Sequence, residues 1–348
     1  MAKALSGQTS TLKRINVVLV KNALRLRGTA TRKELAEATE LSQPTVNAIV
    51  SLLQERGEVI SRGAALSSGG RRAELYSLNQ EHQMVAGVFA WITHLDYAVM
   101  DSSGTVLYRS TSPISPDKDY DEQIAVLLQR LVTHYPNIRV AGVTFPSAVT
   151  PSGELFAASL LPVLERSDMQ RLLQSRLSIP VIVENDVKLR ALGFYRAELM
   201  RKTKSMVYLH LSYALGAGVV LNGRCHCGST NFAGEIKYLP AGPKWPGKTV
   251  EEVLGETTDE DQLVELLTNL AMNLICVVNP PYLVMGGLRI TEALVDRVKT
   301  NCVKLLPGGT APTFLYAEDG SRYLYGGIAS FAQEMIDTDI RIVSGSEE

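Results

Sequence analysis

Two amphipathic runs stand near the start of the chain. Over residues 32–55 the apolar positions Leu35, Ala36, Leu41, Val46, Ile49, Val50, Leu52 and Leu53 recur at helical spacing, and a polar break at residues 39–42 separates the runs 32–38 and 43–55. This spacing predicts a helix-turn-helix. Thr31 stands where an N-cap belongs, with Glu34 three residues on as its capping-box partner, while Ser42 caps the second helix and Pro44 falls in its first turn. Residues 11–27 predict a preceding helix that carries Leu12, Ile15, Val18, Leu19, Asn22, Leu24 and Leu26 and packs under the pair, completing three helices. The ten residues before it are small and polar, and are expected to be disordered. Residues 58–63 and 75–78 read as short strands around the flexible tip Ser67-Ser68-Gly69-Gly70, the hairpin of a winged helix-turn-helix.

Beyond a short polar joint at residues 79–83 the pattern changes. Strand patterns at 83–90, 96–100 and 105–110, with a turn at 101–104, open an antiparallel meander; a helix at 120–134, a strand at 139–145, a helix at 167–177 and a strand at 180–184 follow. A second round runs through strand patterns at 205–211, 218–221 and 283–285 and helices at 258–278 and 290–302. Such alternation predicts mixed sheets flanked by helices. At 348 residues the chain is too long for one core. The expected division is a head of residues 1–80 and two α/β lobes, 81–195 and 196–348, with the C-terminal helix returning to the first lobe and a ligand cleft between the two.

Charge changes the picture for the head alone. Residues 1–80 hold 12 Lys/Arg against 6 Asp/Glu, or +6, which leaves 23 against 30, or −7, for the rest. A basic head on an acidic body fits nucleic-acid binding by the head. Its charge is modest, so phosphate contacts per subunit are few and a symmetric oligomer is needed for useful affinity. Ser42, Gln43, Thr45 and Asn47, at the start of the second helix, are the side chains expected at base edges in a major groove. Arg71 and Arg72 on the wing suit a narrow minor groove.

Other classes of function are excluded or disfavoured. With 45% apolar and 20% charged residues the chain reads as a soluble globular protein, and no run approaches the roughly 18 apolar residues of a membrane span. Four cysteines form no disulfide framework, and with no signal-peptide pattern the cytoplasm is expected. Cys225-His226-Cys227 is too tightly spaced to wrap one tetrahedral ion and has no second Cys/His pair nearby, so no metal site is expected.

Four segments carry a family resemblance: VIVENDVKLRALG at 181–193, LSYALGAGVVLNGR at 211–224, FAGEI at 232–236 and NPPYLVMGG at 279–287. In this order and spacing they resemble the ROK family of sugar kinases and sugar-responsive repressors, over residues 10–335. The SSGGRR wing followed by Leu78-Asn79 resembles the repressor branch, regulators of xylose and N-acetylglucosamine use. The resemblance implies an actin-like, two-lobed α/β body behind a DNA-binding head. It also implies a lost kinase. Where the kinases carry a D-x-G-G-T phosphate loop, this chain has Phe89-Ala90-Trp91-Ile92-Thr93, without the acid and both glycines, and with Trp91 and Ile92 in the space a phosphate needs. Of the second phosphate loop, Ser212-Tyr213-Ala214-Leu215-Gly216-Ala217-Gly218, only the latter half survives. Phosphoryl transfer rests on positioning and charge stabilisation, and those are the parts missing.

On the sugar side the resemblance implies that Asn185, Asp186 and Glu235 bind effector hydroxyls, which such side chains suit because a hydroxyl both donates and accepts. Glu251 stands near the family's last sugar-binding acid. Lys237-Tyr238 replaces the usual G-H, and residues 241–248 replace the zinc loop, so neither zinc nor another cofactor is expected. Ser147 stands where the family has glycine, and Lys188 where it has asparagine. Lys188 and Lys237 either prepare the pocket for an anionic effector or point to solvent. The expected protein is a non-enzymatic repressor of carbohydrate genes. It would bind double-stranded operator DNA as a homodimer or homotetramer and respond to a small carbohydrate-like effector. The alternatives are a sugar kinase with a DNA-binding head and an effector-independent regulator.

Overall fold

The computed structural model describes residues 2–64, 73–257, 259–318 and 320–338. Its first unit comprises α1 (Ala2–Arg27), β1 (Ala30–Thr31), α2 (Arg32–Thr39), α3 (Gln43–Glu55), β2 (Val59–Ala64) and β3 (Glu74–Leu78), with the strands in the order β1-β3-β2. The caps are local and reciprocal. Thr31 Oγ1 accepts from Glu34 N at 3.2 Å while Glu34 Oε2 accepts from Thr31 N at 2.7 Å, so two otherwise orphaned amides at the start of α2 are satisfied. Thr45 N donates to Ser42 Oγ at the start of α3. Replacing Thr31 with alanine is expected to cost the head about 1 kcal/mol. Chemical denaturation followed by circular dichroism would read it as an earlier first transition.

Val20, Leu24, Leu35, Val46, Ile49, Val50, Leu53, Val59 and Tyr76 form the core of this unit. The first helix differs from expectation twice. It begins at Ala2, where a disordered stretch was expected, because the strong helix formers Ala2, Lys3, Ala4 and Leu5 extend it. It also packs mainly through another face: Leu24, which was expected inside, turns inward with Val17, Val20 and Ala23, whereas Leu12, Ile15, Leu19 and Leu26 are 59%, 49%, 40% and 42% exposed. The helix carries two apolar stripes, and the one with less leucine meets the head.

The body holds two five-stranded sheets of the same order. The first comprises β4 (Met84–Ala90), β5 (His94–Met100), β6 (Val106–Pro113), β7 (Ile138–Phe145) and β10 (Val181–Asn185), ordered β10-β7-β4-β5-β6; the short hairpin β8 (Ala148–Val149) and β9 (Leu155–Phe156) stands beside it. The second comprises β11 (Met206–Leu211), β12 (Leu215–Leu221), β13 (Arg224–Cys225), β14 (Tyr282–Gly286) and β15 (Thr313–Ala317), ordered β13-β12-β11-β14-β15. In each the opening strands are antiparallel and the later ones join in parallel. Helices α4 (Tyr120–His134) and α5 (Met169–Arg176) cover the outer face of the first sheet, burying Ile124, Leu128, Met169 and Leu173. On the outer face of the second lie α7 (Val250–Glu256), α8 (Glu260–Val278) and α9 (Glu292–Leu305).

Between the sheets run α6 (Asp186–Phe194) and α10 (Gly320–Thr338). Leu324, Tyr325 and Ile328 of α10 pack on the first sheet, and Val187, Ala191 and Phe194 of α6 pack on the second. The two helices touch backbone to backbone. A Cβ at Gly193 would lie 1.8 Å from Tyr323 O, and one at Gly327 would lie 1.8 Å from Leu189 O, so neither position admits a side chain without parting the helices.

The joint is pinned at both ends. Asn79 Nδ2 donates to Gly57 O at 2.9 Å and Asn79 N to Glu58 O at 2.8 Å on the head side, while Ser102 N donates to Gln80 O and Asn137 Nδ2 to Glu81 O on the body side. The buried pair Lys21–Glu58 at 2.9 Å and a bond from Arg201 to Leu26 O add further ties. Helix α8 reaches a mean hydropathy of 1.3 over 18 residues, and its buried side, including Leu263, Leu266, Leu267, Leu270 and Leu274, faces the second core.

Candidate functional site

The main cleft, about 590 Å³, opens between the sheets where strand ends and helix starts converge. Asn185, Asp186 and Glu235 all line it. Asn185 closes β10 and caps α6, its Oδ1 accepting from Lys188 N at 3.0 Å and its Nδ2 donating to Ser147 O at 3.0 Å. One donor and one acceptor position therefore hold the backbone, leaving the second hydrogen and lone pair of the amide for a ligand. Asp186 is buried beside Arg190, with Nε 3.3 Å from Oδ2, and burial raises its pKa although the guanidinium opposes the shift. Glu235 enters from the second lobe, after Gly234 (φ 96°), which brings the backbone so close to Ala217 O that a Cβ would meet it at 1.9 Å. Burial also raises the Glu235 pKa, with Lys237 countering.

Three further groups in the cleft were not anticipated. Ser147 Oγ and His210 Nδ1 are buried and have no protein partner. An unpaired polar atom in such a place costs free energy that a ligand hydroxyl can recover. Burial drives the His210 pKa down to about 3, so the ring is neutral, and its Nε2 lies 3.0 Å from Ser212 Oγ. Arg190 joins several elements: besides Asp186 it donates to Gly320 O at 2.5 Å, and its guanidinium lies 5.5 Å over the Phe89 ring. Arg190 lies inside the 181–193 segment but was not singled out there, and no local motif announces His210. Ser147 departs from a family glycine, which was the one available signal.

The lysines do not point to solvent: both are buried, and both bear on the charge of Glu235. Lys188 is 1% exposed and lies outside the cleft lining, donating to Asn231 O at 2.5 Å and pairing with Glu184 at 3.5 Å. Lys237 lines the cleft but donates to Ala157 O and stands 4.0 Å from Glu235. Burial without partners would be costly, so each is committed to the fold. Glu251 is exposed and reaches Ser159 at 3.4 Å, outside the lining. Among the described residues no cluster of three or more His, Cys, Asp or Glu is placed to hold a metal, and the Cys225 and Cys227 thiols face backbone carbonyls.

At the end of the cleft formed by the β4–β5 and β11–β12 turns, aromatic rings line the walls. Trp91 lies 5.6 Å from Phe89 and 5.3 Å from Tyr213, which reaches it from the opposite lobe. Tyr120 donates its hydroxyl to Trp91 O and fixes the turn. Ile92, expected beside Trp91 in the space a phosphate needs, is 48% exposed on the turn between β4 and β5.

On the head, Ser42 and Gln43 are exposed and Thr45 and Asn47 are half-buried. The Ser42 and Thr45 hydroxyls bond each other at 2.8 Å within the cap, whereas Gln43 and Asn47, four residues apart, share one helix face. Arg71 and Arg72 lie outside the described residues.

Residues 85–247 match the ROK family model. The chain is 23% identical over 240 residues to the xylose repressor of Caldicellulosiruptor bescii, covering 67% of this chain and 60% of that protein. It is 23% identical over 248 residues to the Escherichia coli DNA-binding transcriptional dual regulator NagC, covering 69% and 61%. The chain thus matches about 60% of the length of these relatives. Among solved structures, a ROK family transcriptional regulator, a homologue of the E. coli MLC protein, superposes with a TM-score of 0.72 at 17% identity, over 96% of this chain and 100% of that one.

Proposed function

From a chain whose residues 85–247 carry a ROK family domain, we propose a sugar-responsive DNA-binding repressor that does not phosphorylate its effector. The observation that carries this reading is the joining of a capped helix-turn-helix with its hairpin to a cleft where Asn185, Asp186, Glu235, Ser147 Oγ and His210 Nδ1 converge. Residues 1–80 would be the DNA-binding domain, 81–195 and 196–348 the two lobes. Gln43 and Asn47 would read bases, Ser42 and Thr45 would seat the start of α3 near a phosphate, and Arg71 and Arg72 would enter the minor groove. Trp91 occupies the phosphate-loop position, which supports a body without kinase activity.

The exposed stripe on α1 supports a homo-oligomer. Leu12, Ile15, Leu19, Asn22 and Leu26 are spaced by three and four residues in turn, the a and d positions of a short coiled coil with one polar residue in the seam. A second copy of the chain is its natural cover, and the dimer would supply the two heads that a palindromic operator needs.

The test is binding to DNA upstream of the protein's own gene, by gel shift, with and without a sugar panel. Specific binding released by one sugar supports the reading; the absence of specific binding, together with sugar-dependent ATP turnover, would replace it with the kinase. On such an operator, Gln43→Ala and Asn47→Ala should each cost about 1–3 kcal/mol of specific binding while leaving affinity for random DNA nearly unchanged. Equal losses on both DNAs would remove these residues from base readout.

A further inference from the structure

The hydroxyl-binding groups Asn185, Asp186 and Glu235 share the cleft with an aromatic wall at the β4–β5 and β11–β12 turns. A volume of about 590 Å³ sits in the range of drug-sized ligands and exceeds what one monosaccharide fills. We infer that the effector is a glycoside carrying a second, uncharged ring, whose sugar meets Asn185, Asp186 and Glu235 and whose second ring stacks on Trp91 and Tyr213. This rests on the sugar-sensing reading above and names the effector's class.

The rings come from both lobes, Trp91 after β4 and Tyr213 after β11, and stand 5.3 Å apart at 46°. Tyr213 is 72% exposed, so a ligand ring has an open face to lie on, and Leu288 and Ile290 add apolar wall on the same lobe. Planar apolar groups and the C–H faces of sugar rings both find favourable contact with such side chains. Charge disfavours a phosphate in this place. The lining carries four carboxylates, Asp96, Asp186, Glu235 and Glu318, against two cations, Arg190 and Lys237, each already bonded within the fold. Ser147 Oγ, beside Asn185 and without a protein partner, is open to a sugar hydroxyl, and His210 Nδ1, likewise without a partner, lies between that group and the turn that carries Tyr213, its Nε2 bonded to Ser212.

The experiment compares methyl and phenyl β-glycosides of glucose, xylose and N-acetylglucosamine, with cellobiose and xylobiose alongside, by titration calorimetry on the full chain and by tryptophan fluorescence. For the sugar that binds, the phenyl glycoside should bind about tenfold more tightly than the methyl one, a typical return for stacking on a pair of rings, and should shift Trp91 emission. In Tyr213→Ala, whose exposed ring leaves the core intact, and in Trp91→Ala, the phenyl-to-methyl ratio should fall toward one. A disaccharide that gains as much as the phenyl glycoside assigns a sugar as the second ring. Equal affinity for methyl and phenyl forms in the unaltered protein, or a ratio that survives both substitutions, overturns the aromatic subsite while leaving the sugar site standing. If no glycoside binds at all, both the subsite and the sugar-sensing reading fail.

Discussion

Ile15→Glu combined with Leu19→Glu should convert the proposed dimer to a monomer and reduce operator affinity by on the order of a thousandfold, because two linked heads would gain roughly 10²–10⁴ in avidity over one. Both side chains are about half exposed, so the change spares the head core formed by Val20, Leu24 and Leu35. Their neighbours in the stripe, Leu12, Asn22 and Leu26, continue the same seam, and two like charges facing their copies across it would repel in a region that loses water on pairing. Analytical ultracentrifugation reads the first effect and fluorescence anisotropy on operator DNA the second. Circular dichroism serves as the control, since the helix content of the head should be kept. A double variant that stays dimeric with full operator affinity would move the interface elsewhere on the molecule.

Arg190→Met should lower stability by about 3–5 kcal/mol, the range for breaking a buried pair and stranding one charge. It should also leave a repressor that holds its operator but answers its effector poorly. Arg190 ties Asp186 in the cleft to Gly320 O at the first residue of α10, and α10 runs from there along α6 to the region where Gln333 lies beside Lys21 and Arg25 of α1. A ligand that recruits Asp186 therefore competes for the group that fixes the start of the helix leading to the head. Such coupling exists only to the extent that the effector favours one arrangement of α10, so the loss should appear as a rightward shift of the release curve by about a hundredfold, within the usual range of coupling energies. Urea denaturation measures the stability and effector titration of the DNA complex the release. Arg190→Lys, which keeps the charge but not the fork, should fall between. Normal release by the methionine variant would exclude this route.

Much of the head could be read in advance because its signals are local. Thr31 with Glu34 and Ser42 with Pro44 bracket α2 and α3 whatever surrounds them, and Tyr120–His134 was legible as α4 because one face only is apolar. Of the central layer only a returning C-terminal helix was expected, and α6 was not. All nine residues of α6 are buried, including Lys188 and Arg190, so no amphipathic period marks it. In α10 the glycines Gly326 and Gly327 speak against a helix in isolation, while Gly327 is what lets it touch α6. On α1 two apolar stripes compete, and periodicity alone does not say which meets its own domain. The cleft was legible where a motif marked it, at Asn185, Asp186 and Glu235. Ser147, His210 and Arg190 come together only through the packing of β7, β11 and α6, which no short window of sequence contains.

The pinned joint at residues 79–83 makes the protein a caliper. With Asn79 bonded to the head at Gly57 and Glu58, and Gln80 and Glu81 bonded to the body, a head that swivels to follow a displaced half-site must break these bonds. In the proposed dimer, one base pair inserted at the operator centre would turn one half-site by roughly 35° about the duplex axis, given about 10 pairs per turn. The jaws would then meet the wrong face of the groove. Under the proposed function, an operator would be defined by its spacing as strictly as by its letters.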